Sequence, residues 1–421
     1  MTFSLNTSAV IGVFGGDEAV ATMATVHVYE RRKWLGWYNS PGAYTIAKRY
    51  GLLTKSRMFT GFFPGVHTDP ATLFELDGWK GPRFRAAHSG SVFDETGHLA
   101  SLFLKECSEL RGVPVEGRKT QPIDVTIAEL HHVPERKMNP ERLQMDTPIL
   151  ACIPISISIG MSVFCAVIGD RYSSSMILLG VVASGISCWV IGSGEFVFDH
   201  PEEAAGSPPG DGVLESDKEV VILRGEEGAV NCITRGRFSL IFDSEPKYRN
   251  IGWCSVLLMF QFIAQLLLVP QGSLFGQLMF VSSLAVSWVY NLWLSCLNKE
   301  KIQREILIKS VLRRPKLTKF TLGTRTSMAI FVLLVLKPEE PELILDDLLY
   351  NDNQVWSWFK ATITSRLYKK EELRFGPADW GVATMSERDQ KLLETLYGDA
   401  QSAYDGYLKL CNTVDDPRVV H

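Results

Sequence analysis

Residues 250–298 read NIGWCSVLLMFQFIAQLLLVPQGSLFGQLMFVSSLAVSWVYNLWLSCLN, 49 consecutive positions without Asp, Glu, Lys, Arg or His. As one helix this stretch would measure about 70 Å, at about 1.5 Å per residue. The hydrocarbon core of a bilayer is only about 30 Å thick. Val269-Pro270-Gln271-Gly272 breaks the stretch near its middle. Proline removes a backbone donor and glycine permits a tight turn, so the sequence predicts two helices, 250–269 and 273–297, folded back on each other. That is a membrane hairpin.

A second pair lies upstream. Thr147–Gly169 and Tyr172–Gly194 are uncharged runs separated only by Asp170 and Arg171. Each matches the roughly 20 residues a spanning helix needs, which predicts spans at 147–169 and 173–196. Mean hydropathy is close to zero although 21% of residues are charged. The charges are therefore crowded into the remaining segments: an amino-terminal region (1–146), an acidic Pro/Gly linker (197–218), a short region at 219–249 and a carboxy-terminal region (298–421).

Basic residues orient such a chain. Arg136, Lys137 and Arg142 precede the first span, and Arg235, Arg237, Lys247 and Arg249 the third. Lys299, Lys301, Arg304, Lys309, Arg313, Arg314 and Lys316 follow the fourth, whereas the hairpin tips carry only Arg171. Both termini and the 197–249 loop are expected in the cytosol, in a plasma membrane or endomembrane protein. Met1–Val10 holds no Lys or Arg and Gly15-Gly16-Asp17-Glu18 follows, unlike a secretory leader, so insertion would fall to the first internal span. The sequon Asn6-Thr7-Ser8 then faces the wrong side for glycosylation. Eight cysteines show no CxxC and no regular spacing, so neither a disulfide framework nor a zinc site is indicated. Cys152 and Cys296 fall near the cytosolic ends of their spans, where S-acylation competes with a plain packing role.

In the soluble segments, Ala24–Tyr29 and Ile123–Leu130 read as strands and Leu99–Leu110 as a helix closed by Gly112. Trp34–Phe93 is rich in Gly, Pro and aromatics and reads as irregular. Glu219–Arg224, Ala229–Thr234 and Arg237–Phe242 suggest a β-meander. Lys299–Arg313 is expected as a basic amphipathic helix suited to anionic lipid headgroups. Phe320–Leu322 and the apolar run Met328–Leu336 suggest a hairpin across residues 323–326, with helices at about 353–370 and 386–411. A nine-residue apolar strand needs cover on both faces. The fold class expected is thus a polytopic α-helical membrane protein with one α+β cytosolic domain, assembled from the amino-terminal region, the central loop and the carboxy-terminal region.

Candidate functional residues are few. Gln261 and Gln265 stand one helical turn apart in the third span, and Gln277 and Asn291 lie in the fourth. Such amides line a polar path or bond neighbouring helices. No ionisable group sits deep in a span, which disfavours proton-coupled transport. Gly180, Ser184, Cys188 and Gly192 recur at i, i+4 and predict a close-packing face whose partner the sequence leaves open. His67, Asp69, His88 and His98 are the only candidates for a metal or general-base site, at spacings of low specificity. No phosphate loop or dinucleotide motif is present, and a pI near 6.1 without a basic stripe gives no nucleic-acid footprint. No cofactor is expected. The mass distribution suits a non-enzymatic, membrane-anchored interaction or scaffold module, bound to a cytosolic partner or to its own copies. An oligomeric channel or transporter, and a membrane-tethered metal-dependent hydrolase, are the alternatives.

Overall fold

Four helices are long and apolar enough to cross a membrane: Ile149–Ile168, Arg171–Ile191, Asn250–Gln271 and Leu274–Ser295. They are called the first to fourth apolar helices. The computed structural model describes residues 15–29, 31–54, 57–63, 69–140, 147–242, 245–382 and 385–414. The chain clusters into two units, one of residues 1–78, 137–199 and 237–306, the other of 79–136, 200–236 and 307–421.

In the first unit the apolar helices turn large side chains outward, among them Val163, Val167, Leu178, Phe260, Leu267 and Val289. Inside lie Ser158, Ser162, Ser184, Gln261, Gln265, Ser283, Ser287 and Asn291, all buried. The first helix ends at Gly169, whose φ of 88° is left-handed, and Asp170 caps the second through the Ser173 N–H. The third ends in a single 3-10 turn at Val269–Gln271, and the fourth is capped by Ser273. The same unit holds a three-stranded antiparallel sheet and, among its further helices, Gly16–Val28 and Ala43–Leu53.

Ten strands are found among the described residues: β1 (Arg83–Ala86), β2 (Val92–Phe93), β3 (Val113–Pro114), β4 (Ile123–Leu130), β5 (Lys137–Met138), β6 (Glu195–Asp199), β7 (Gly212–Glu215), β8 (Glu219–Gly225), β9 (Arg237–Ile241) and β10 (Lys316–Leu322). The second unit is built on the order β2-β1-β7-β8-β4-β10-β3, and β5-β6-β9 form the small sheet of the first unit. At the centre, β4 pairs parallel with β8 (Val125 opposite Val220) and antiparallel with β10 (Val125 opposite Phe320). One sheet therefore draws strands from before the first hairpin, from between the hairpins and from after the second. One face of this sheet (Ile123, Val125, Ile127, Val220, Ile222, Phe320, Leu322) packs on helices Arg325–Leu336, Pro341–Leu348, Gln354–Tyr368 and Glu387–Val414.

On the opposite face Lys319 is buried and donates to Glu219 Oε1 at 2.9 Å and to the carbonyls of Cys107 and Ser108. Burial alone would lower its pKa, but the Glu219 hydrogen bond and the nearby Asp124 carboxylate hold it above the usual lysine range. The ammonium stays charged because its partners are built in.

Several expectations are corrected. Met328–Leu336 is not a strand, and there is no hairpin at 323–326: Arg325–Leu336 is a helix, started by Thr324 Oγ1 accepting the Ser327 N–H. All eleven residues from Thr326 to Leu336 are buried. A helix covered on every side shows no 3.6-residue pattern, so its apolar run mimics a core strand. Ala24–Tyr29 falls almost wholly within the helix Gly16–Val28, and Ala229–Thr234 within the helix Glu227–Thr234, because packing overrides β-branched propensity in both. The 219–249 meander does not form: β8 and β9 belong to different sheets. The 197–218 linker is shorter than expected, since β6 runs to Asp199 and β7 begins at Gly212. Within Trp34–Phe93, residues 43–53 are helical and 83–86 are a strand. The helix expected over Lys299–Arg313 is α-helical to Ile306 and widens to a π-turn at Leu307–Val311.

A buried polar node as the candidate functional site

The amino-terminal helices Gly16–Val28 and Ala43–Leu53 start side by side. Their N-caps, Gly15 and Gly42, have φ of 72° and 77°. A Cβ on Gly42 would lie 2.6 Å from Gly16 Cα, so only glycine allows the approach. One Cβ on Gly15 would lie 3.0 Å from the Trp288 ring, well inside the fourth apolar helix. From there the second of these helices runs along the third apolar helix, where Ser255 Oγ donates to the Ala47 carbonyl. Between the two helices the chain passes through a 3-10 turn, Arg32–Trp34, and an irregular arm, residues 35–42.

Asn39 sits on this arm, fully buried. Its backbone N–H donates to Ser158 Oγ of the first apolar helix at 3.2 Å. Its Nδ2 donates to Ser283 Oγ of the fourth at 2.8 Å, and its Oδ1 accepts from Gln265 Nε2 of the third at 3.4 Å. A Cβ on Gly180 of the second helix would stand 2.0 Å from Asn39 Oδ1. One asparagine thus touches all four apolar helices, near the middle of three of them. Gln265 also donates to the Met176 carbonyl at 3.2 Å, and Gln261 Nε2 donates to Gln265 Oε1 at 3.4 Å. Asn291 accepts from Tyr38 Oη at 2.9 Å and donates to Ser40 Oγ at 3.2 Å.

The small-residue row of the second helix is the bed of the same arm. A Cβ on Gly36 would collide with Cys188 at 2.3 Å and press on the Ser184 carbonyl at 3.3 Å. One on Gly192 would meet Lys33 at 2.4 Å. Gly180, Ser184, Cys188 and Gly192 thus accommodate residues 33–39, a partner that the spacing alone left open. At the entrance of the arm, buried Arg32 donates to the Leu35 carbonyl at 2.9 Å and to Tyr38 Oη at 3.2 Å, and its guanidinium lies 5.5 Å from the Tyr290 ring centre. A cation–π contact and two hydrogen bonds stand in for a carboxylate there.

Gln277 is separate from this network and donates to the Pro270 and Gly272 carbonyls at the turn of its own hairpin. Beside it Asp170 joins the two hairpin tips. Its Oδ2 accepts from the Ser273 N–H at 2.7 Å and from Ser273 Oγ at 2.6 Å, and Oδ1 accepts from the Ser173 N–H at 3.0 Å. Burial would raise this carboxyl's pKa, but the Ser273 and Ser173 donors hold it below the usual aspartate value.

His67 lies outside the described residues. Asp69 accepts the Ala71 N–H and caps the short helix Pro70–Leu73. His88 stands 3.9 Å from Asp211, and buried His98 lies edge-on to Trp79. Among the described residues no group of three or more His, Cys, Asp or Glu is placed to hold a metal ion. In the basic stretch 299–316, Lys299 is paired with Glu75 and Lys316 with Glu129.

The second unit carries a cleft of about 970 Å³ at the carboxyl ends of the parallel pair β4 and β8. Glu129, Arg224, Glu226, Glu227 and the Pro208-Pro209 turn line it. Asp211 accepts the Gly225 N–H and Glu203 the Gly228 N–H, which fixes its glycine turn.

In comparisons with protein-family models, curated proteins and solved structures, nothing matches this chain. Asn39 was not singled out in the sequence. Its setting, Trp37-Tyr38-Asn39-Ser40-Pro41-Gly42, reads as an ordinary turn ahead of a helical pattern.

Proposed function

We propose that this chain is an integral membrane protein that holds an interaction domain at the cytosolic face, with both helical hairpins entering from that side and returning to it. The observation that carries the reading is the mixed sheet. Its strands come from before, between and after the hairpins, so all three segments must share one side of any membrane the helices span. The outward apolar side chains of the four helices suit lipid, and the positive charges flanking them suit the cytosol. For the partner-binding face, the cleft beside β4 and β8 holds about 970 Å³ and carries more carboxylates than cations, which suits a basic protein segment. Anionic headgroups near residues 299–316 are a second contact of the same reading.

The test has two arms. In sealed membranes, single cysteines at Ser207 and Tyr172 should label from opposite sides with an impermeant maleimide; labelling from the same side sinks the topology. Crosslinking from the cleft should capture a cytosolic partner, and Glu226→Lys with Glu227→Lys should abolish the capture. Unchanged capture would end the cleft assignment.

The re-entrant arm favours a second reading, a channel or transporter. Irregular backbone at mid-depth is tolerated where it is buried in protein or lines a path, and interrupted helices mark substrate sites in many transporters. Asn39→Leu and Gln265→Leu would then change solute flux in proteoliposomes while the protein stays folded. Equal flux in wild type, variants and empty vesicles removes that reading.

A further inference from the structure

Cys107, Cys165, Cys188, Cys232 and Cys254 are buried and Cys411 is half-buried. Cys152 and Cys296 are the two exposed cysteines. They also share a place. Cys152 opens the first apolar helix and Cys296 closes the fourth. These helices run antiparallel, since Phe164 meets Phe275 at one end and Ala151 shares a cluster with Tyr290 and Leu294 at the other. Both thiols therefore lie at the same end of the helix pair. Exposed apolar side chains flank them, Ile149 and Ile153 beside Cys152 and Leu292 one turn before Cys296. The first charged residue after Cys296 is Lys299. An accessible thiol at the boundary between apolar helix and charged chain, next to uncovered hydrocarbon surface, is the setting for lipid attachment.

We propose that Cys152 and Cys296 form a paired S-acylation site for long-chain fatty acids. This inference rests on the topology proposed above, which puts both thiols on the cytosolic side where acyl-CoA is found. Each Sγ, as thiolate, attacks the carbonyl carbon of a fatty acyl-CoA. A new S–C bond forms, the thioester bond to CoA breaks, and CoA leaves as a thiol, taking up the proton that Sγ has lost. The two chains lie along the outer faces of the first and fourth apolar helices, over Ile153 and Leu292.

The full chain, expressed in eukaryotic cells, is tested by hydroxylamine-dependent exchange of thioesters for a mass tag. Wild type should carry two tags, Cys152→Ser and Cys296→Ser one each, and the double variant none. Both substitutions are at exposed positions, and monodispersity in detergent checks that the variants fold. Absence of hydroxylamine-dependent tags on wild type, or tags that persist in the double variant, overturns the site. A Ser207→Cys variant separates the two failures. If its maleimide labelling arises from the cytosolic side and wild type lacks tags, the acylation falls alone. Labelling from the far side removes the topology, and the acylation with it.

Discussion

The two units of this molecule differ in how much polar chemistry they bury: an apolar cluster lies in each, but the one among the four apolar helices is interleaved with amides and hydroxyls. Around the Arg325–Leu336 helix a large apolar cluster fills the core, and the charges buried in that unit are paired, as Lys319 is with Glu219 and Asp399 with Arg118. Among the four apolar helices the amides and hydroxyls are inside, and Val163, Phe260 and Val289 are outside. Hydrophobic burial drives the first arrangement. It cannot hold the second together where lipid is the solvent, because tails solvate leucine as well as another helix does. Close packing at Gly180 and the hydrogen bonds of Asn39 supply the cohesion instead. An interior that is polar for reasons of cohesion differs from one that is polar because something passes through it.

That contrast breaks most easily at the large apolar side chains of each unit. Phe331 is fully buried, and Phe331→Ala should cost the second unit about 4 kcal/mol, read as a lowered denaturant midpoint of that unit. An unchanged midpoint would mean that the core is not where the cluster puts it. Phe260, 61% exposed in the third apolar helix, gives the sharpest discrimination. Phe260→Asp should cost about 3 kcal/mol if lipid surrounds that face, and less than about 0.5 kcal/mol if water does. Insertion efficiency and stability in bilayers, set against stability in detergent-free buffer, decide between them.

Smaller effects test the polar interior. Asn39→Ala removes both side-chain bonds of the node, leaving Gln265 on the Met176 carbonyl and Ser283 on the Phe280 carbonyl, for an expected loss of about 2 kcal/mol. Gln265→Ala should add little to that loss, since the two residues act as one network; full additivity would dissolve the node as a unit. Asp170→Asn should weaken the tip clasp by about 1.5 kcal/mol at neutral pH. Because the folded carboxyl is held below its ordinary value, its contribution is complete above about pH 4 and is lost as pH falls through the lowered pKa. The wild-type chain should therefore lose clasp stability toward acid, and Asp170→Asn should flatten that limb of the profile.

Much of this was legible from residue order. The apolar helices, their turns at Gly169-Asp170 and Val269–Gln271, strands β4 and β8, the last three residues of β10, and the helices Gln354–Tyr368 and Glu387–Val414 all have local signals strong enough to read. Ser386 Oγ accepting the Asp389 N–H is the start that Ser-x-x-Asp suggests. What could not be read is whatever depends on neighbours far along the chain. Arg325–Leu336 looks like a strand because it is enclosed on all sides. Ala24–Tyr29 looks like one because Val26 and Val28 alternate with His27 and Tyr29, although tertiary packing holds most of the stretch helical. Of the candidate site residues, Gln265 and Asn291 carried a visible oddity, an amide in an apolar run. Asn39 carried none, as an asparagine before Ser-Pro-Gly is ordinary in a loop. Only the fold reveals that this loop enters the helix bundle.

The interleaved sheet also sets a timetable. Strand β4 lies between β8 and β10, which leave the ribosome roughly 95 and 190 residues later, with both pairs of apolar helices made in the meantime. Until residue 322 has emerged, Val125 and Ile127 keep an unpaired edge, and pairings this distant close slowly. Chains stalled or cut before β10 should be sticky and short-lived even when both pairs of apolar helices are complete, making the last strand a checkpoint for the whole polypeptide.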